Sequence, residues 1–240
     1  YSPLTMKGRV MSQLSNLIQQ VSSTKKATVE KAATIAAQLN LPFPAGQSKN
    51  DGANQSATDG DSSKQISNPF TKILNAVQLL PKSTQSFVLT KTFSKIVPYV
   101  GTTGIVYEEV TPNKLVVSLE NKKAVQNHIG SVHAVAVTLL AETATGFILG
   151  INLPSDRILL VKSYEVNFYR PIKKGQMAAI ATLSDEQRQY ILDTPKGEMI
   201  IPCVIEDRNS DSDRDPITVE MTWAWIPKSE LKQRREGRAK

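Results

Sequence analysis

Between Ser131 and Leu149 the chain consists almost entirely of alanine, leucine, valine and threonine, apolar on nearly every side when wound as a helix. Such a helix has no polar face to give to water, so other elements must cover it on most sides. Its length is close to that of a membrane span, but His133, Glu142 and several threonines argue for a protein core instead. The flanking sequence supplies the cover. Two short β-rich runs, Ile105 to Val110 and Leu115 to Leu119, precede it and are separated by Thr111-Pro112-Asn113, which reads as a hairpin. Ile158 to Tyr169, Gln176 to Ile191, Glu198 to Glu206 and Ile217 to Ile226 read as further strands after it, with Pro171 to Gly175 turning between two of them. No alternating strand–helix–strand pattern occurs. The expected class is therefore α+β, an antiparallel sheet wrapped around a long central helix.

The 240 residues suffice for a sizeable core. A single cysteine, Cys203, excludes an internal disulfide and a multi-thiolate metal site, and favours a reducing compartment. The net charge of +7 is unevenly spread. Residues 1–65 carry seven Lys/Arg against four Asp/Glu, residues 228–240 six against two, and residues 66–227 sixteen of each. The basic excess therefore belongs to the two ends, and four segments follow. Residues 1–43 form a basic amphipathic helical extension, with apolar positions from Val10 to Leu39 at helical spacing. It has the acid-poor, serine-containing character of a mitochondrial targeting segment, and equally that of a helix docking on the domain, so both a mitochondrial and a cytoplasmic location stay open. Residues 44–65, nearly devoid of large apolar side chains, read as a flexible linker. Residues 66–227 form the domain, opening with a helix capped by Asn68-Pro69 and stopped at Pro81, then a second helix from about Thr84 to Lys95. Residues 228–240 form a basic tail, suited to a solvated terminus or to an anionic partner such as RNA or a membrane surface.

The chemistry concentrates at the start of the apolar helix. The chain's only histidines, His128 and His133, lie within Asn127-His128-Ile129-Gly130-Ser131-Val132-His133-Ala134, and the one carboxylate of the apolar stretch, Glu142, follows nine residues later. A charge in such surroundings must be paired, neutralised or used. It is either a satisfied polar cluster of the core or part of a catalytic site. Nine helical residues rotate a side chain by about 900° and advance it roughly 13 Å, so one chain cannot bring Glu142 and His133 to a common substrate. Two antiparallel copies across a two-fold axis can, with Glu142 of one facing Asn127 and His133 of the other.

The order Asn127, Gly130-Ser131-Val132-His133, Glu142, then Arg170-Pro171 and Gly175, resembles hotdog-fold acyl-CoA thioesterases over about residues 68–227. The nearest likeness is to the phenylacetate-pathway type and a related branch of tetrameric thioesterases described only as domains of unknown function. The resemblance implies a hotdog fold with extra N-terminal helices, assembly as a homodimer or tetramer, an acyl-CoA substrate and no cofactor besides the CoA of that substrate. It also implies roles. Asn127 would position water or substrate, and His133 would hold the thioester end of the site. The Ala134 N–H would polarise the carbonyl, and Glu142 from a second chain would act as base or nucleophile. Many members carry glycine at the position of Ala134 and aspartate at that of Glu142. Ser131 is a candidate N-cap competing for the Ala134 N–H, and Ser163 a further polar contributor.

Coenzyme A carries phosphates, for which Arg157, Lys162, Arg170, Lys173 and Lys174 are the candidate cations. The alternative function is a catalytically silent hotdog subunit, a structural or binding component of a larger assembly such as a mitochondrial ribonucleoprotein, acting through its basic ends. Other chemistries fail on spacing. Asp207 to Ser212 begins like a calcium loop, but Ser212 occupies the glycine position. Two histidines five apart without cysteines do not make a zinc site. Neither nucleotide-binding glycine motif occurs.

Overall fold

The computed structural model describes residues 66–173, 175–212 and 214–238. The basic amphipathic extension and linker read in residues 1–65, and the side chain of Lys174, lie outside the described residues. Helix α1 (Pro69–Gln78) starts where Asn68 and Thr71 form a reciprocal capping box with proline in the first turn, and it buries Ile73, Leu74 and Val77. Helix α2 (Lys82–Ile96) and the short α3 (Pro98–Thr103) follow, the latter ending at Gly104 in the left-handed region. Strands β1 (Val106–Val110) and β2 (Lys114–Glu120) form the expected antiparallel hairpin.

The long apolar stretch is helix α4 (Ala134–Asn152), and fifteen of its residues are buried. Seven strands wrap it in the order β1-β2-β4-β6-β7-β3, with β5 alongside β7. These are β3 (Arg157–Phe168), β4 (Gln176–Thr182), β5 (Gly197–Ile201), β6 (Cys203–Asp207) and β7 (Ile217–Pro227). All pairings are antiparallel. Pro202 divides the expected run Glu198 to Glu206 into β5 and β6, because proline has no N–H for a ladder. The helix approaches the sheet closely at Gly146, where a Cβ would stand 2.6 Å from the ring of Trp223. There the Trp223 indole N–H donates to the Thr145 hydroxyl at 2.9 Å. The α+β architecture with a helix inside the sheet is as expected, and α4 is the wrapped core rather than a membrane span.

The run Gln176 to Ile191 is not one strand. β4 ends at Thr182 and helix α5 (Asp185–Asp193) follows, started by a capping box between Ser184 and Gln187 and by acidic Asp185 and Glu186 in its first turn. That Ser-x-x-Gln signature is legible in the sequence, and the apolar alternation before it masked it. The basic tail is a helix, α6 (Lys228–Arg238), tied back by a 3.0 Å ion pair between Glu230 and Lys196.

Candidate active site

The loop between β2 and α4 closes on its own backbone. The Asn127 N–H donates to the Ser131 carbonyl at 2.8 Å, and the Asn127 Oδ1 accepts the N–H groups of Ile129 and Ser131, both at 3.1 Å. Gly130 turns the tip at φ +77°, a conformation other side chains rarely adopt. Asn121 pins the loop to the turn after β3, its Nδ2 donating to the carbonyls of Gly130 (3.1 Å) and Lys173 (2.8 Å). His133 and Val132 complete the seam, donating to Val125 (2.8 Å) and Ile172 (3.2 Å). His128 and Ile129 stand exposed at the tip.

The N-cap of α4 is His133 and not Ser131. Its Nδ1 accepts the Val135 N–H at 3.1 Å, while the Ser131 hydroxyl is buried without a partner among the described residues. The reason is register. His133 has the extended backbone of a cap and Ala134 is the first helical residue, so Ser131 stands two residues too early. Two consequences bear on chemistry. An Nδ1 that accepts leaves the proton of the neutral ring on Nε2, so His133 offers an N–H outward. The Ala134 N–H makes no hydrogen bond among the described residues and sits at the positive end of a 19-residue helix. Asn127 spends its oxygen on the loop and keeps its Nδ2 for other partners.

Glu142 is not buried in the single chain. With Ala134, Val135 and Thr138 it forms a stripe at three- and four-residue spacing that the sheet leaves bare, on a helix otherwise enclosed. Desolvation by the surrounding helix and sheet nonetheless raises its carboxyl above the ordinary glutamate value. It lies about 12 Å along the axis from Ala134, so one chain does not bring Asn127, His133, Ala134 and Glu142 together.

The cations divide. Arg157 is 9% exposed and caps α5, donating to the carbonyls of Ile191 (2.6 Å), Thr194 (2.8 Å) and Leu192 (2.9 Å), which leaves it no free fork for CoA phosphates. Arg170 is bound at 2.5 Å to the buried carboxylate of Asp207. Lys162 pairs on the surface with Glu198 at 2.5 Å. Lys173 is exposed beside the loop. Ser163 is exposed where β3 resumes its register after a bulge, opposite Thr222. Burial pushes the Cys203 thiol up to about 12, so it is protonated at neutral pH and is not a nucleophile. Among the described residues no group of three or more His, Cys, Asp or Glu side chains could hold a metal ion.

Sequence reasoning found the strand Ile158 to Tyr169 but not its place at the edge of the sheet. Among the described residues β3 pairs only with β7, and it exposes Leu160, Val161, Tyr164 and Phe168. The signal was present: a 12-residue strand carrying apolar residues on both faces.

Residues 86–226 match a family described as "Domain of unknown function (DUF4442)". The chain belongs to the DUF4442 family. No curated protein matches it. A Pseudomonas aeruginosa protein, PA5026, described as a protein of unknown function and "Probable Thioesterase", is 21% identical with a TM-score of 0.52, over 62% of this chain and 97% of its own. A structural-genomics protein, APC5556, is 20% identical with a TM-score of 0.52, over 66% and 98%. The DUF4442 chain therefore has the hotdog fold, its sheet wrapped on α4.

Proposed function

We propose that the protein hydrolyses acyl-CoA thioesters at a site shared by two antiparallel copies of the chain. The observation that carries this reading is the bare stripe of α4. A lone carboxylate with a raised pKa stands on the flank of the core helix that the sheet leaves open, and the same sheet ends in an apolar edge strand, β3, whose outer side has no partner among the described residues. Two such flanks facing each other across a two-fold axis cover both stripes and set the partner's Glu142 against this chain's Ala134.

In that arrangement the thioester carbonyl oxygen accepts from the Ala134 N–H at the positive helix terminus, where charge developing on oxygen is stabilised. The partner's Glu142 takes a proton from water, whose oxygen bonds to the carbonyl carbon. The C–S bond then breaks and the proton passes to the departing thiolate, giving free acid and CoA. The His133 Nε2–H and the Asn127 Nδ2 orient water and substrate. Lys173, exposed beside the loop, is the cation best situated for CoA phosphates, and a thioesterase description of a protein with the same fold agrees with the reading.

The test is release of free thiol from short, medium, long and aryl acyl-CoAs. Glu142→Ala is expected to lower turnover by about 10²–10⁴-fold with the fold intact, the usual worth of a positioned base. Mixing His133→Ala with Glu142→Ala subunits should restore about a quarter of the sites, because half of randomly mixed dimers keep one complete site. No thiol release from any substrate by an intact dimer would overturn the reading and leave the silent-subunit alternative.

A further inference from the structure

At the opposite end of α4 lies a second concavity that the proposed chemistry does not use. A cleft of about 220 Å³ opens between the start of α1, the end of α2, the end of α4 and the start of β3. Its wall is apolar, from Phe70, Ile73, Phe93, Ile96, Leu153 and Leu159. Phe70 closes it against the helix: a Cβ on Gly150 would meet that ring at 3.2 Å. Ser155 also lines the cleft, and the Asn68 side chain is already spoken for, since it donates to the carbonyls of Gly150 (2.9 Å) and Leu153 (2.7 Å) and accepts the Thr71 N–H (2.9 Å).

The rim is different in kind. Arg157 lines the cleft with a side chain nine-tenths buried, and its Nε has no hydrogen-bond partner among the described residues, although its Nη1 and Nη2 donate to the carbonyls that end α5. Lys228 lines the same rim, immediately after the residue that Arg157 faces across β3 and β7, and its ammonium makes no ion pair among the described residues. The nearest opposing charge is the exposed carboxylate of Asp156, 3.7 Å from Arg157 Nε, beyond hydrogen-bond range. The rim therefore keeps one net positive charge and an unmet buried donor above an apolar slot.

We infer that this cleft binds a single-chain fatty carboxylate, with its headgroup on Arg157 Nε and Lys228 and its tail along Ile73, Phe93 and Ile96. Charge complementarity selects an anionic head, since a buried Arg donor and a carboxylate form a strong charge-assisted bond. Size selects the tail. The volume is below the roughly 300–1,000 Å³ of drug-sized pockets, which suits one narrow chain rather than a ring system. The site stands apart from the proposed hydrolytic centre, about 24 Å along α4 from Ala134 of the same chain.

Isothermal titration of the full chain with dodecanoate, and separately with dodecanol, tests it. Dodecanoate should bind saturably at one site per chain. Lys228→Glu, on an exposed side chain, should weaken dodecanoate by about fivefold or more while leaving dodecanol nearly unchanged. Ile96→Trp should fill the slot and weaken both ligands. Glu142→Ala should bind dodecanoate as the wild type does. Absence of saturable binding below about 1 mM, or binding that neither cleft variant alters, overturns the proposal. Binding that falls with Glu142→Ala and not with the cleft variants places the ligand at the shared centre, which sinks this inference and leaves the hydrolase reading intact.

Discussion

The two halves of α4 are made of the same residue types yet live in different surroundings. From Leu139 to Asn152 every side chain except Glu142 is buried, whereas from His133 to Thr138 only Ala136 and Val137 are. The difference lies in cover, not in composition. The far half is enclosed by Phe70, Phe93, Tyr107 and Trp223, with ring centroids 4.4–5.2 Å apart in the Phe93–Phe147–Tyr107 cluster. The near half meets no comparable element among the described residues. An apolar helix that its own fold half-covers is finished by something else; the bare half holds the free amide, and the one exposed side chain of the enclosed half, Glu142, carries the same stripe onward.

This contrast can be broken by substitution. The largest effect on stability is expected in the enclosed half, where Ile148→Ala should cost about 2–5 kcal/mol in denaturant unfolding. Val135→Ala in the bare half should cost little in a dilute, dissociated chain and more as concentration rises. A loss at Val135 as large as at Ile148 under dilute conditions would erase the distinction. Next, Tyr164→Arg on the edge strand should dissociate the assembly in analytical ultracentrifugation without unfolding it, since an exposed apolar edge becomes charged. Third, His133→Ala should lower stability by about 1 kcal/mol through loss of the helix cap, while His133→Asn, which can cap, should regain most of it. If stability does not change in either variant, the imidazole is not holding the helix.

The smallest effect concerns pH. The native Glu142 carboxyl has a raised pKa, so between the ordinary and the raised value the folded chain holds more proton than the unfolded one. Its contribution to stability is therefore present at low pH and declines as pH rises through that window. Glu142→Gln should flatten this slope by less than about 0.5 kcal/mol, the scale of surface substitutions. In the active form, the acidic limb of the rate profile should lie above the ordinary glutamate range and vanish with the variant.

The sequence reading and the structure agree where the physics is local. The enclosed α4, the Asn68 cap and the β1–β2 hairpin all follow from neighbours within a few residues. They part where a distant partner decides. Arg157 looks like a free cation until carbonyls some 35 residues on claim it, and Arg170 until Asp207 does. Glu142 reads as buried because its neighbours in sequence are apolar, although burial depends on which flank the sheet reaches. Helix α5 differs again: its capping signature was local and readable, but was outweighed by the strand-like run before it.

The Asn68 clasp bears on where this domain can be cut. Family similarity begins at residue 86, yet the carbonyls at the far end of α4 are satisfied from residue 68, and Phe70 shields Phe147 at 5.2 Å and Gly150 beneath it. A fragment trimmed to the family limits would uncap the core helix and strip its aromatic lid in one step. For expression, the working domain starts some twenty residues upstream of where relatedness to the family begins.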